Sequence, residues 1–246
     1  MVLRAAILDY PMKALEAQPA AGKMLGDIIK NKQINFFKTS QSYVVMDKHD
    51  MIGTHFLIYD VEDVYNPKLV LAIRNTYEER CKFHGVQLPI DGYIHLAGKE
   101  AEGLLKDMRK RVGSLVDCNA WFVDPNYSKK NSDMNLSEFA FLMVTTFIMR
   151  MGRSHFVAAT NEKYKASRWI QMAGEFPEGY GFVHPAVPDY HCLELVEKFK
   201  TDWMAKATEE YRGLLTTAQE VFGEPEAIRP VQDVIAQLNR PKPKAA

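Results

Sequence analysis

Residues 120–135 read AWFVDPNYSKKNSDMN, residues 136–151 read LSEFAFLMVTTFIMRM, and residues 155–173 read HFVAATNEKYKASRWIQMA. The apolar quartet 120–123, stopped by Asp124-Pro125, predicts a short strand, and the polar run 126–135 predicts a loop. Residues 136–151 are apolar on nearly every side, which predicts a buried helix. Asn135 is a good N-cap, and Glu138 three residues later fits a capping box. Gly152 stops that helix. HFVAA at 155–159 predicts a second strand, and 161–173 a second helix closed by Gly174. A strand–helix–strand–helix run implies one parallel strand pair with a right-handed crossover.

Working outward, residues 11–33 look helical, with a break around Pro19–Gly22. The β-rich runs Ser42–Met46 and Thr54–Tyr59 flank the polar DKHD and Gly53, which predicts a hairpin. Leu69, Ile73, Tyr77 and Cys81 recur every fourth residue and predict a helix over 69–81. Gly92–Leu96 is a predicted strand. Glu100–Val112 is a predicted charged helix with Leu104, Leu105 and Met108 as its apolar stripe. Tyr180–Val183 and Tyr190–Val196 are expected to close the sheet. Val196, Phe199, Trp203, Ala207, Tyr211, Leu214 and Ala218 form a stripe that predicts a long helix over about 200–222, before a tail, NRPKPKAA. The expected organisation is a helical segment 1–40, a mixed core 41–198, and a C-terminal helix and tail 199–246. The fold class is α+β or α/β, a mixed central sheet with helices on both faces.

The 246 residues hold 31 Lys+Arg against 31 Asp+Glu, and 47% are hydrophobic. That composition excludes a wholly disordered chain, and the length supports a core without disulfides or metal. Zero formal charge argues against a general nucleic-acid binder. Lys106, Arg109, Lys110 and Arg111 read as a solvated face suited to a helix C-terminus. Cys81, Cys118 and Cys192 are too scattered for a disulfide scaffold, and the seven histidines show no HExxH or HxH spacing, so no metal site is expected. The N-terminus reaches Asp9 and Pro11 too early for a signal segment, and no run is long enough to span a membrane. A cytoplasmic protein is expected.

With Trp121, Val123, Pro125 and Tyr127, then Asn161, then Gly174 and Phe176 with Glu175 between them, residues 119–196 resemble the core of the GNAT superfamily of acyl-CoA-dependent N-acyltransferases. The resemblance implies a GNAT-like sheet with acyl-CoA laid along the Trp121 strand. It implies cofactor contacts from Trp121, Phe122, Val123 and Asn161, and from Lys129, Lys130 and Asn131 in the pyrophosphate loop. His155 and His184 would lie at strand ends near the central cleft as candidate general bases, with Tyr164 a candidate acid.

Two departures stand against that pattern. Residues 129–135 (KKNSDMN) lack the glycines that allow close backbone approach to a pyrophosphate, and Asp133 and Glu138 bring negative charge there. Ile170 occupies the position where many such enzymes hold an acid tyrosine, and isoleucine cannot donate a proton. These departures favour a GNAT-like scaffold without catalysis. It would need no cofactor, bind a protein partner or a second copy through the C-terminal helix, and suit a phage or virion component. The alternative is an active acyltransferase with acyl-CoA as cosubstrate. A third option is a relative of acyl-homoserine-lactone or acyl-amino-acid synthases, which share the fold and tolerate unusual loops.

Overall fold

The computed structural model describes residues 1–40, 46–127, 134–161, 166–175 and 190–240. The chain opens with strand β1 (Leu3–Asp9), then helices α1 (Pro11–Ala17), α2 (Pro19–Ser40) and α3 (Lys48–Ile52). Strands β2 (Thr54–Asp60) and β3 (Lys68–Tyr77) lead to helices α4 (Glu78–Phe83), α5 (Pro89–Ala97) and α6 (Lys99–Val112). The central run is β4 (Val116–Val123), α7 (Leu136–Arg150), β5 (Phe156–Asn161), α8 (Ala166–Ala173) and the short β6 (Gly174–Glu175). The chain continues through β7 (Tyr190–Val196), β8 (Lys198–Phe199), α9 (Thr201–Thr216), β9 (Gln219–Phe222) and α10 (Val231–Leu238).

Seven strands form one mixed sheet in the order β7-β5-β4-β3-β2-β1-β9, and β6 and β8 pair separately. The expected parallel pair is present: β4 runs parallel to β5, and α7 is the crossover between them. The expected architecture, a mixed sheet with helices on both faces, is the one observed. One face packs against α7, α9 and α10 in a single apolar cluster that includes Phe56, Tyr77, Phe139, Phe141, Phe147 and Phe156. The other face carries two apolar clusters. One joins α1 and α2 to β1, β2 and β3, and the other joins α5 and α6 to β5 and β7.

Several expectations are corrected. Leu3–Asp9, inside the segment read as helical, is a strand within the sheet. Residues 69–77 are strand rather than helix. β3 is buried on both faces at nearly every position, so its sequence has no period of two, and the fourfold spacing was coincidental. Residues 92–96 belong to helix α5, entered at Pro89. DKHD is not a hairpin turn but the start of α3, and Thr54–Asp60 pairs antiparallel with both β1 and β3. The 42–45 part of the hairpin and the 180–183 strand lie outside the described residues. The long C-terminal helix stops at Thr216, and residues 219–222 form a strand parallel to β1.

Local chemistry accounts for the joints. Asn135 caps α7 by accepting from the Glu138 amide at 3.2 Å, and Gly152 beyond its end takes a left-handed φ of 76°. The Glu138 carboxylate turns to α9, accepting from Trp203 Nε1 and Tyr211 Oη, both at 3.2 Å. A Cβ on Gly174 would lie 2.1 Å from Val196 Cγ1, so the turn after α8 can sit on β7 only as glycine. At the sheet end where β1 stops, Arg80 binds both oxygens of the fully buried Asp9, at 2.8 and 3.0 Å, and stacks on Tyr10 and Tyr77. Replacing Arg80 with Met is expected to cost about 3–5 kcal/mol, because it strands a buried carboxylate. The Asp9→Asn/Arg80→Met double variant is expected to recover much of that loss. Urea unfolding of the three proteins measures it.

Candidate functional site

β4 and β5 stay together for only two register pairs, Asp117↔Val157 and Cys118↔Ala158. Beyond them β4 continues to Val123 against β3 alone, and β5 continues to Asn161 against β7 alone. Among the described residues the middle of the sheet therefore opens as a wedge whose two walls are strand edges, neither of them paired there with a neighbouring strand. Such edges accept an added strand-like ligand.

The β4 wall is distorted where the wedge begins. Asn119 faces Arg74 and Phe122 faces Ala72, so Ala120 and Trp121 together stand opposite Ile73. Ala120 takes φ 51°, left-handed for a residue with a Cβ, which costs on the order of 1–2 kcal/mol. This bulge turns peptide groups out of the β3 ladder at the wedge mouth.

The two faces of the wedge differ in chemistry. Trp121 and Val123 pack onto the apolar α7 face, with Trp121 edge-on to Phe141 at 5.5 Å between centroids. On the opposite face, between its two apolar clusters, lies a polar seam. Leu8, His55, Arg74 and Asn119 are register neighbours across β1, β2, β3 and β4. Arg74 is almost wholly buried, and its Nε donates to Asn119 Oδ1 at 2.9 Å. Its Nη1 donates to Asp47 Oδ1 at 2.9 Å and to Asp50 Oδ1 at 2.6 Å. Lys32 Nζ reaches both Asp50 oxygens, at 2.8 and 2.7 Å. Asp47 and Asp50 cap α3 reciprocally, each side chain accepting the other's amide. That fixes both carboxylates over the sheet.

This setting decides the protonation of the seam. Burial would raise the Asp47 carboxyl, but hydrogen bonding to His49 and the charges of Arg74 and Lys32 outweigh it and hold it far below the usual range. His49 is raised to about 10, chiefly by its hydrogen bond to Asp47. His55, fully enclosed and near Arg74, is lowered to about 4 and stays neutral at pH 7. Asp117 lies on the last joined stretch of β4, 1% exposed, and its Oδ2 accepts from the Ile90 amide at 2.7 Å. Burial pushes its carboxyl up to about 6 despite the hydrogen bond from Asn119. Burial also raises the Cys118 thiol, which is therefore protonated at neutral pH.

Of the residues singled out from sequence, Trp121, Phe122 and Val123 line the β4 wall, and Asn161 ends the β5 wall. Lys129, Lys130, Asn131, Tyr164 and His184 lie outside the described residues. His155 is not at the cleft. It precedes β5, and because β4 and β5 are parallel and part at their C-terminal ends, His155 sits at the joined end. There it is half-buried, with Nε2 2.9 Å from Ser114 O. Ile170 is buried in the α7-side core. Sequence reasoning missed Arg74, Asp47, Asp50, Asp117 and Asn119. The one available signal was Asp47-x-x-Asp50, which has the spacing of a capping box but was read as a turn. The basic run on α6 is matched by carboxylates: Arg109 with Glu78 and Asp91, Lys110 with Asp107, and Arg111 with Glu197. Among the described residues no cluster of three or more His, Cys, Asp or Glu could hold a metal ion, and no helix is long and apolar enough to cross a membrane.

The fold is that of the GNAT-like acyltransferases. No protein-family model matches the sequence, and no curated protein matches it. Among solved structures, the CoA-dependent acyl-homoserine lactone synthase BjaI with SAM and isopentyl-CoA superposes with a TM-score of 0.57 at 12% identity, covering 97% of this chain and 99% of that one. The same synthase with MTA gives a TM-score of 0.56 at 11% identity with the same coverage. FeeM, an N-acyl amino acid synthase from uncultured soil microbes, gives a TM-score of 0.47 at 14% identity, covering 80% of this chain and 92% of that one.

The Asp117 carboxyl has a checkable signature. Its folded pKa of about 6 lies above the ordinary 3.8, so folding favours the protonated form. Stability is full below about pH 4 and is lost as pH rises through 6. Asp117→Asn should therefore be more stable than the parent at pH 8, by up to roughly 3 kcal/mol, and equal to it near pH 3.5. Denaturant unfolding at the two pH values reads the difference.

Proposed function

We propose that this protein is an acyl-CoA-dependent N-acyltransferase whose acceptor is a small amine of the amino-acid type. The observation that carries the reading is the wedge between β4 and β5, with a bulged strand edge on one wall and a buried polar seam beside it on one face. The pantetheine arm of acyl-CoA adds to the free β4 edge as a strand, and the bulge at Ala120–Trp121 offers an N–H to the thioester oxygen. The amine approaches from the Arg74 face. Its nitrogen bonds to the thioester carbon, the carbon–sulfur bond breaks, and one amine proton passes to Asp117 and finally to the departing thiolate. A carboxyl titrating at about 6 is suited to that exchange near neutral pH. Transfer is direct, because the raised Cys118 thiol is a poor nucleophile for a covalent acyl intermediate.

BjaI, which shares the fold, is described with SAM and isopentyl-CoA. That pairing supports an acyl-CoA donor and an amino-acid-bearing acceptor here as well. Two departures favoured a scaffold without catalysis. Ile170 is core packing, and most of the glycine-free loop lies outside the described residues.

Calorimetry with acetyl-CoA and isopentyl-CoA, followed by thiol release in the presence of S-adenosylmethionine, tests the reading. Binding and thiol release are the expected results; no heat and no thermal shift at millimolar acyl-CoA would end it. Asp117→Asn is expected to lower kcat by about 10²–10⁴ while leaving acyl-CoA affinity near that of the parent. The parent's rate should rise with pH through about 6 as the carboxyl ionises.

A further inference from the structure

The wedge connects a polar face to an apolar one, and the two halves of the reaction divide between them. An amine is hydrated and suits the seam of Arg74, Asp50 and Asn119. An acyl chain is not, and leaves the bulge toward the α7 face. On that face the space behind the wedge is already occupied. Trp121 projects from β4 and rests edge-on against Phe141 of α7. Phe141 in turn lies 6.5 Å from Phe156 of β5, and Phe156 lies 6.1 Å from Phe199. Phe141, Phe156, Ala158 and Ile170 are each no more than 2% exposed. The rings form a continuous row from Trp121 on the β4 wall to Phe156 at the joined end of β5 and on to β8, so the α7 face next to the opening is filled. Trp121 is the row's only member still partly exposed, and it stands beside the distorted peptide groups of the bulge.

We propose that Trp121, seated on Phe141, sets the upper length of the acyl group, so that the donor is a short-chain acyl thioester and long fatty acyl groups are excluded. The inference rests on the acyl-CoA reading given above and adds the donor class and the residues that choose it. A close-packed interior yields to an extra methylene only by moving side chains, so each carbon beyond the row counts against binding. Phe141 acts through Trp121 and is a positioning residue, holding the indole across the path.

The test uses the non-hydrolysable thioethers S-butyl-CoA and S-decyl-CoA, with free CoA as reference, titrated by calorimetry into the full chain. This needs no acceptor. The expected result is that S-butyl-CoA binds at least about tenfold more tightly than S-decyl-CoA, and that Trp121→Ala narrows or inverts the ratio. Phe141→Leu, a milder change that keeps the core filled, is expected to shift the ratio in the same direction, and thermal unfolding run in parallel shows that each variant is folded. A parent protein that binds S-decyl-CoA as well as or better than S-butyl-CoA overturns the length limit and leaves the acyl-CoA reading standing. So does equal binding of both thioethers and free CoA. Failure of all three to bind overturns both.

Discussion

Two register pairs hold the middle of this sheet together. Were the parallel contact of β4 and β5 longer than Asp117–Cys118 against Val157–Ala158, the wedge would be an ordinary sheet interior. Were it absent, the sheet would divide in two. What limits it is the seam on one face and the packing on the other. Arg74 holds Asn119 against β3 just where the strands part, and the bulge at Ala120 follows directly. β7, joined to β5 with its own register shift between Ala158 and Thr160, draws the second wall aside, and Thr160 donates to the buried Glu194 across that pair.

The seam shows how the energetics are shared between fold and site. Arg74, Lys32, Asp47 and Asp50 make a buried ionic group, and such groups add little net stability compared with apolar packing. Their geometry is nonetheless fixed, because α3 is only five residues long and depends on the Asp47–Asp50 capping pair. The carboxylates that cap the helix are also the ones that orient Arg74. Asp117 extends this economy: it caps the N-terminal turn of α5 through Ile90 while standing at the head of the wedge.

The crossover was legible from sequence because its signals are local. An all-round apolar helix between Asn135 and Gly152 has few alternatives, and it dictates the parallel pair on either side. β3 was not legible, since a central strand covered on both faces loses the alternation that marks a strand, and Leu69, Ile73 and Tyr77 happened to fall at helical spacing. β9 was read as the end of a helix because four residues carry too little pattern to oppose the long stripe before them. The β4 wall of the site was readable through Trp121, Phe122 and Val123. The seam was not, because Lys32, Asp47, Arg74 and Asn119 are distant in sequence and meet only once β2, β3 and β4 are in register. His155 was misplaced for a related reason: sequence located the strand but not the end at which its neighbour leaves it.

The place of β1 has a consequence for biosynthesis. It lies between β2, which follows within about fifty residues, and β9, which is made from residues 219–222. At a translation rate of about 5–20 residues per second, roughly 10–40 s separate emergence of the first strand from that of its second partner. Throughout that interval the β9 side of a nascent chain's apolar ribbon, Ala5–Leu8, stays without its partner strand.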